Sequence, residues 1–314
     1  MKRLLFLALL VTSTTWASAK YPESTVDMTL QQVSEHVYYV QGAAGIATDN
    51  EGFISNAAAV VTKEGLVIID ALGSPSLAEK FLDLLRQVSD KPVAKLILTH
   101  YHADHIYGIQ VFKELGAEVI APAGYELYLN SSIAKERLEE RRFSLSPWVN
   151  ENTHLVKPDR VVSADERFNL GGIDFAITYL GSAHSDGDLA VLVESDRVLI
   201  SGDIIFEGRI PFTGSADTGH WLEVLQNLDT LDLAALVPGH GPAAKDPNAA
   251  IGLTLKYLSY VREVMGRAVE EMTPFSEAFE AADWSEFEQL PAFEATHRRN
   301  AYGVYLSLEA AQFE

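Results

Sequence analysis

The chain has 314 residues, 47% of them apolar, a formal charge of −20 and no cysteine. That length and composition suit one large globular domain or two modest ones and exclude a disordered chain. The charge argues against a nucleic-acid partner, because the densest cationic stretch, KERLEERR at 135–142, interleaves three glutamates. The missing thiols exclude cysteine nucleophiles, thiolate metal sites and redox pairs, so any metal must be held by imidazole and carboxylate.

The N-terminus reads MKRLLFLALLVTSTTWASAK. Two cations precede an apolar run, and Ala17-Ser18-Ala19 offers the small residues that leader cleavage needs. Residues 1–19 are therefore expected to be a signal peptide and the mature chain to be periplasmic or secreted. The apolar run is too short to span a bilayer, so no stable membrane insertion is expected after cleavage.

Strands are predicted at VYYVQG (37–42), NAAAVVT (56–62) and LVIIDA (66–71), with Lys63-Glu64-Gly65 as a hairpin turn. Apolar residues at 77, 81, 84, 85 and 88 predict an amphipathic helix over 76–88. AKLILTH (94–100) reads as a buried strand, 106–115 as a helix and AEVIAP (117–122) as a strand. Residues 123–160 interrupt the alternation with a helical stretch near 131–143 and a run of turn formers. Strands resume at 161–163, 167–170, 173–180, 188–194 and 197–201, followed by a helix at 219–231 and LAALVPGH as strand and loop. Helices are predicted at 250–272, 275–282 and 291–311. Strand and helix alternate as in a layered α/β protein.

One third of the nine histidines fall within THYHADH (99–105), as His100, His102 and His105, with Asp104 among them. Residues two apart in an extended segment face the same side, and the next two turn into a helix. Three later segments carry further candidates at strand ends: His184 in GSAHSDGDLAV, Asp203 in LISGDII and His240 in VPGHG. Imidazole and carboxylate suit Zn²⁺, and also Fe or Mn. Seven ligands are too many for one tetrahedral zinc and suit two ions about 3.5–4 Å apart that share a hydroxide.

Taken together, these segments resemble the metallo-β-lactamase-fold hydrolase superfamily over roughly residues 33–245. THYHADH carries its His-x-His-x-Asp-His pattern, and LVIIDALG (66–73) is similar to its early strand ending in a supporting aspartate. The resemblance implies an αββα sandwich, two mixed sheets face to face with helices outside, in a single domain over 20–314 with a helical extension at 250–314. It implies a first ion on His100, His102 and His184, a second on Asp104, His105 and His240, and Asp203 bridging. Asp104 would also orient the attacking hydroxide and handle its proton, and Asp70 would support the ligands without binding metal. Subclasses B1 and B2 of the lactamases place a cysteine on the second ion, which this chain lacks. The chain is more similar to exported zinc hydrolases associated with quinoprotein relays or sulfur oxidation, and less so to B3 lactamases or glyoxalase II.

Around this set, His220 in DTGHW and Arg209 in FEGRIPF are candidate substrate contacts, the second for an anion. Asn56 is expected to serve a turn or cap. Tyr125, Phe143 and Trp148 are candidates for lining a groove. His36, His154 and His297 are assigned no functional role. GAAG (42–45) lacks the spacing of a dinucleotide loop, and no GxSxG elbow is present. The expected function is hydrolysis of a small molecule with a carbonyl centre (ester, lactone, thioester or β-lactam) by a dinuclear zinc site. The alternatives are a mononuclear iron persulfide dioxygenase and a non-catalytic metal-binding protein.

Overall fold

The computed structural model describes residues 20–312 except position 229, so the expected leader at 1–19 lies outside the described residues. Among the described residues twelve strands form two sheets. The first runs in chain order: β1 (Leu30–Gln32), β2 (Val37–Val40), β3 (Ala57–Val61), β4 (Leu66–Ile69), β5 (Val93–Ile97), β6 (Glu118–Pro122) and β7 (Arg160–Val162). Its first four strands are an antiparallel meander, and β4 to β7 are parallel. The second contains β8 (Glu166–Leu170), β9 (Ile173–Gly181), β10 (Asp188–Val193), β11 (Val198–Phe206) and β12 (Ala235–His240) in the order β12-β11-β10-β9-β8. Here β8 to β11 are antiparallel, and β11 pairs β12 in parallel.

Strand β4 shows why both faces are apolar. Val67 and Ile69 point between the sheets, where they share a core with Ile97, Phe175, Val191 and Ile200. Leu66 and Ile68 point outward to α1 (Pro75–Leu85), whose Leu77, Phe81 and Leu85 are fully buried. A strand covered on both faces reads as a continuous apolar run rather than an alternating one. Helix α1 starts where Ser74 accepts from the Leu77 amide at 3.2 Å and Pro75 presets the first turn. The layers are helices, sheet, sheet, helices, the αββα sandwich that the resemblance implies.

Several elements depart from the expected pattern. The helix predicted over 106–115 is two: α2 (Ala103–Ile106) and α3 (Ile109–Glu114). Gly108 separates them by packing its backbone against the Ala71 carbonyl, where a Cβ would come within 2.0 Å. Residues 123–160 contain α4 (Ala123–Leu129) besides the expected α5 (Ser132–Ser144). β11 runs on to Phe206, so Asp203 lies inside a strand rather than in the loop after it, on a stretch whose register with β12 shifts twice.

α6 (Thr218–Leu228), α7 (Pro247–Glu270), α8 (Phe275–Ala281) and α9 (Phe293–Ala311) cover the outer face of the second sheet. Asp246 caps α7 by accepting from the Ala249 amide at 3.1 Å, and Phe206, Trp221, Leu258 and Val304 share one core there. Within it, His297 stacks on Phe293 at 4.2 Å, meets Trp284 edge-on and faces the Tyr257 hydroxyl at 3.0 Å. Arg298 beside it lies over the Phe275 and Phe279 rings. Burial pushes the His297 imidazole down to about 4. Between that value and the ordinary 6.5 the unfolded chain binds a proton that the folded chain refuses. This contribution to stability is complete above the unfolded value and is lost as pH falls through the window, by up to about 3 kcal/mol. In urea unfolding followed from pH 7 to pH 4, His297→Gln is expected to lose less stability than the unaltered protein. Parallel losses in the two proteins would refute this assignment.

Candidate metal centre

The centre is built where strand ends from both sheets meet. Asp70 follows β4 in the left-handed region (φ 65°), an arrangement that costs a non-glycine residue about 1 kcal/mol or more. Its backbone is held there by the Asp70 amide bonding the Ile97 carbonyl at 2.9 Å and the Ala71 amide bonding the His105 carbonyl at 2.8 Å. The carboxylate accepts from the Thr99 amide and the Thr99 hydroxyl, both at 2.8 Å, and from His105 Nδ1 at 2.9 Å. Because the Thr99 hydroxyl donates to Asp70, it accepts from His100 Nδ1 at 3.0 Å. One carboxylate thus fixes the Nδ1–H tautomer of two histidines and turns both Nε2 atoms the same way.

The other side chains are aimed by separate devices. His240 Nδ1 donates to the Ile54 carbonyl at 2.7 Å, which frees its Nε2. Asn56 braces the turn around it, donating to the Pro238 and Gly241 carbonyls at 2.8 Å each and accepting from the Gly42 amide. His184 sits in a loop held by buried Asp188, which accepts from the Ala183 and Ser185 amides on either side of it. The Ser55 hydroxyl holds the Asp104 carbonyl at 2.5 Å. Two glycines give the close approach. A Cβ on Gly202 would lie 2.4 Å from the Thr99 hydroxyl, and one on Gly239 would lie 2.0 Å from Asp203 Oδ1.

The result is two groups of potential ligand atoms, each within 4.8 Å: His100, His102, His184 and Asp203 in one, Asp104, His105 and His240 in the other. Asp203 lies between them. Its Oδ2 is 3.3 Å from His184 Nε2 and 3.3 Å from His240 Nε2, and its Oδ1 is 3.2 Å from His105 Nε2. Asp104 Oδ2 is 3.3 Å from His240 Nε2, and His102 Nδ1 is 2.9 Å from His184 Nε2. Only His102 and Asp104 are part-exposed, so the cluster opens on their side. His100 Nε2, His105 Nε2 and Asp203 Oδ1 are buried without any hydrogen-bond partner. Buried polar atoms left unpaired cost several kcal/mol in general. A set of them converging on one place, with donor types that suit Zn²⁺, fits a metal pair and has no counterpart as a packing device.

Electrostatics point the same way. Burial and the neighbouring imidazoles hold His100 well below the usual histidine range, and burial brings His102 down to about 3. Burial also opposes charge on His105 and His240, yet Asp203 and its fellow carboxylates raise both. Burial opposes ionisation of Asp203 too, but His240, His105 and His100 outweigh it and keep its carboxyl well below the usual carboxylate range. The centre is a largely buried cluster whose carboxylates demand positive charge.

The two candidate substrate contacts differ. His220 is on α6 with Nε2 on the Leu180 carbonyl at 2.9 Å, outside the cluster. Arg209 is buried, its Nε has no partner, and its guanidinium lies 6.0 Å from the centre of the Phe206 ring. That ring stacks parallel on His240 at 5.1 Å. Burial lowers the Arg209 pKa against the pull of Asp203 and Asp104. Of the groove candidates, Tyr125 is wholly buried with its hydroxyl on the Val156 carbonyl, and Phe143 is exposed. Sequence reasoning missed Thr99, Ser55 and Asp188, and it took Asn56 for a turn or cap. Thr99 adjoins the histidine cluster and Asp188 follows His184 in the same segment, which were the available signals; Ser55 and Asn56 are set by tertiary contacts alone.

A sequence profile of the Metallo-beta-lactamase superfamily matches residues 50–240. A metallo-beta-lactamase type 2 of Elizabethkingia meningoseptica is 26% identical over 194 residues, covering 60% of this chain and 69% of that protein. A metallo-beta-lactamase from Pontibacter korlensis shares the fold at a TM-score of 0.59 and 21% identity, covering 74% of this chain and 99% of the other. A stereoselective inverting sec-alkylsulfatase from Pseudomonas sp. superposes at a TM-score of 0.71 and 17% identity, over 89% of this chain and 50% of the other. Among the described residues no helix is long and apolar enough to cross a membrane. With the profile spanning every residue of the cluster and two mixed sheets flanked by helices, the chain belongs to the metallo-beta-lactamase superfamily.

Proposed function

We propose that the protein is an exported, metal-dependent hydrolase that attacks a carbonyl-type small molecule, such as an ester, lactone, thioester or β-lactam. The observation that carries this reading is the convergence of five imidazoles and two carboxylates into two adjoining groups with Asp203 between them. His100, His102 and His184 would hold one Zn²⁺ and Asp104, His105 and His240 the other, with Asp203 touching both. Fe or Mn suits the same donors. Two such ions would supply Lewis acidity and a hydroxide at neutral pH. Asp104, on the open side, would accept an O–H from the attacking water and so orient it. Asp70 would hold the tautomers of His100 and His105. Arg209 would bind an anionic group of the substrate. No protein nucleophile is needed. A sulfate monoester is the second reading, favoured by the buried, unpartnered Nε of Arg209.

Protein purified from its exported compartment without added metal is expected to carry two zincs per chain by elemental mass spectrometry. It should lose its hydrolytic activity to a chelator and regain it with zinc. One iron per chain, with oxygen uptake on a persulfide, would instead establish the dioxygenase alternative. Bound metal, no turnover on the carbonyl and sulfate-ester panel and a stable partner in pull-down would leave a metal-binding protein.

Asp70→Asn suits the left-handed backbone but has one oxygen for three donors, so its NH2 group must face either the Thr99 amide or the Thr99 hydroxyl and His105. It is expected to weaken zinc binding about 10–100-fold while the circular dichroism of the apoprotein stays the same. Unchanged affinity would remove Asp70 from the centre. Arg209→Ala should raise KM about tenfold or more for a substrate carrying a carboxylate or sulfate, with kcat little changed. A fall in kcat at constant KM would place Arg209 in the chemistry instead of in binding.

A further inference from the structure

The superfamily match ends at residue 240, and α7, α8 and α9 lie beyond it. These helices are nevertheless wired to the segment that leaves β11 and carries Arg209. That segment is pinned at its start by the Glu207 amide bonding the His240 carbonyl at 3.0 Å. It is pinned next by the Ile210 amide on the carbonyl of Pro291, just ahead of α9, at 3.0 Å. The last anchor is Asn300 of α9, which is fully buried. Its Oδ1 accepts from both the amide and the hydroxyl of Thr213 at 3.1 Å, and its Nδ2 donates to the Pro211 carbonyl at 2.6 Å. Nδ2 also donates to the Tyr257 hydroxyl at 3.0 Å, which joins Asn300 to α7.

One amide side chain therefore uses both of its ends, and three of its four bonds go to two residues of one short loop. A side chain buried merely to fill α9 would be apolar, because burying an amide brings little net stability over a well-packed hydrocarbon. What the amide adds is a fixed loop path. Between the His240 and Pro291 anchors lie Gly208 and Arg209, and the Arg209 guanidinium is 6.0 Å from the centre of the Phe206 ring that stacks on His240.

We propose that Asn300 is a positioning residue for substrate recognition: by holding Pro211 and Thr213 it fixes the Arg209 guanidinium beside the metal centre, so the C-terminal helices are part of the substrate site. This rests on the reading of Arg209 as the anion anchor. A loose loop would let the guanidinium sample many positions, and binding would carry the cost of ordering it each time.

The test combines amide hydrogen exchange with a double-mutant cycle on the zinc-loaded full-length protein. The probes are a para-nitrophenyl ester bearing a terminal carboxylate and its neutral methyl-capped twin. Asn300→Ala and the milder Thr213→Val are compared, each alone and with Arg209→Ala. Both are expected to speed exchange of the Ile210 and Thr213 amides about tenfold or more, with β12 unchanged. Asn300→Ala should raise KM for the anionic ester about tenfold, with kcat and the neutral twin within about twofold, and should add nothing once Arg209 is gone. Thr213→Val should act in the same sense and more weakly. Unchanged exchange at both amides would show that Asn300 does not hold the loop and would overturn the proposal. So would equal losses on the two esters, or an effect that adds fully to that of Arg209→Ala. If Arg209→Ala alone treats the two esters alike, the anion reading falls and takes the proposal with it, whatever the exchange shows.

Discussion

The carboxylate of Asp70 is the constraint on which the centre depends. It sits at the end of β4, in the middle of the first sheet, and its partners lie at the end of β5 and on α2. Three donors converge on its two oxygens, two of which lead to histidines. A neutral imidazole offers one donor and one acceptor, so fixing the donor end decides where the acceptor end points. The strain of a left-handed aspartate is the local cost of bringing that carboxylate under both rings. Any backbone that relaxed it would turn His100 and His105 away from Asp203.

The rest of the site repeats this logic with other materials. His240 uses a backbone carbonyl in place of a carboxylate, and the loop of His184 is fixed through the amides that flank it. The second sheet supplies Asp203 from inside a strand, which limits its movement more than a loop would. Thr99 also accepts the Leu189 amide at its carbonyl, at 2.8 Å, so the two sheets are joined by a hydrogen bond one residue from the first histidine. The sandwich core between the sheets thus sets the distance between the two halves of the ligand set. Precision at the centre comes from packing far from it.

Much of this was legible in the sequence because it rests on local pattern. The apolar runs of β3, β4, β5 and β12 and the amphipathic spacing of α1 are set by burial, and burial leaves a periodicity that can be read. THYHADH and the later histidines were legible because histidine is scarce, nine in 314 residues, and these stand at strand ends; Asp203 was read from its segment but lies within β11. The hidden parts depend on contacts that no window contains. Gly108 broke a predicted helix because the Ala71 carbonyl presses on it, and Asn56 gained its task from the turn at 238–241. The extension of β11 to Phe206 was hidden by Gly202, whose positive φ and contact with Thr99 make sense only when the sheets face each other. His220 stands apart from the ligand cluster for the opposite reason. Its place in the sequence suggested the site, but its ring was already engaged by Leu180.

The charge of the whole chain then bears on how the centre would meet a substrate. A formal charge of −20 repels anions at long range. Near the cluster, Asp70, Asp104 and Asp203 stand against the Arg209 guanidinium and against His105 and His240, which those carboxylates raise toward their charged forms, so without metal the positive charge of the site is taken up internally. Two divalent ions on the proposed ligands would displace those protons, make the site locally positive and leave the surface as it was. Arg209 alone would not suffice, because the pull of Asp203 and Asp104 on it is spent within the protein. Loading with metal would therefore do two things at once: supply the reactive hydroxide and free the guanidinium to face an incoming anion. On this view recognition and reactivity in this fold are not separate sites tuned apart. Both follow from cancelling the same buried carboxylate charge, and a protein without its metals would lose affinity for an anionic substrate along with its chemistry.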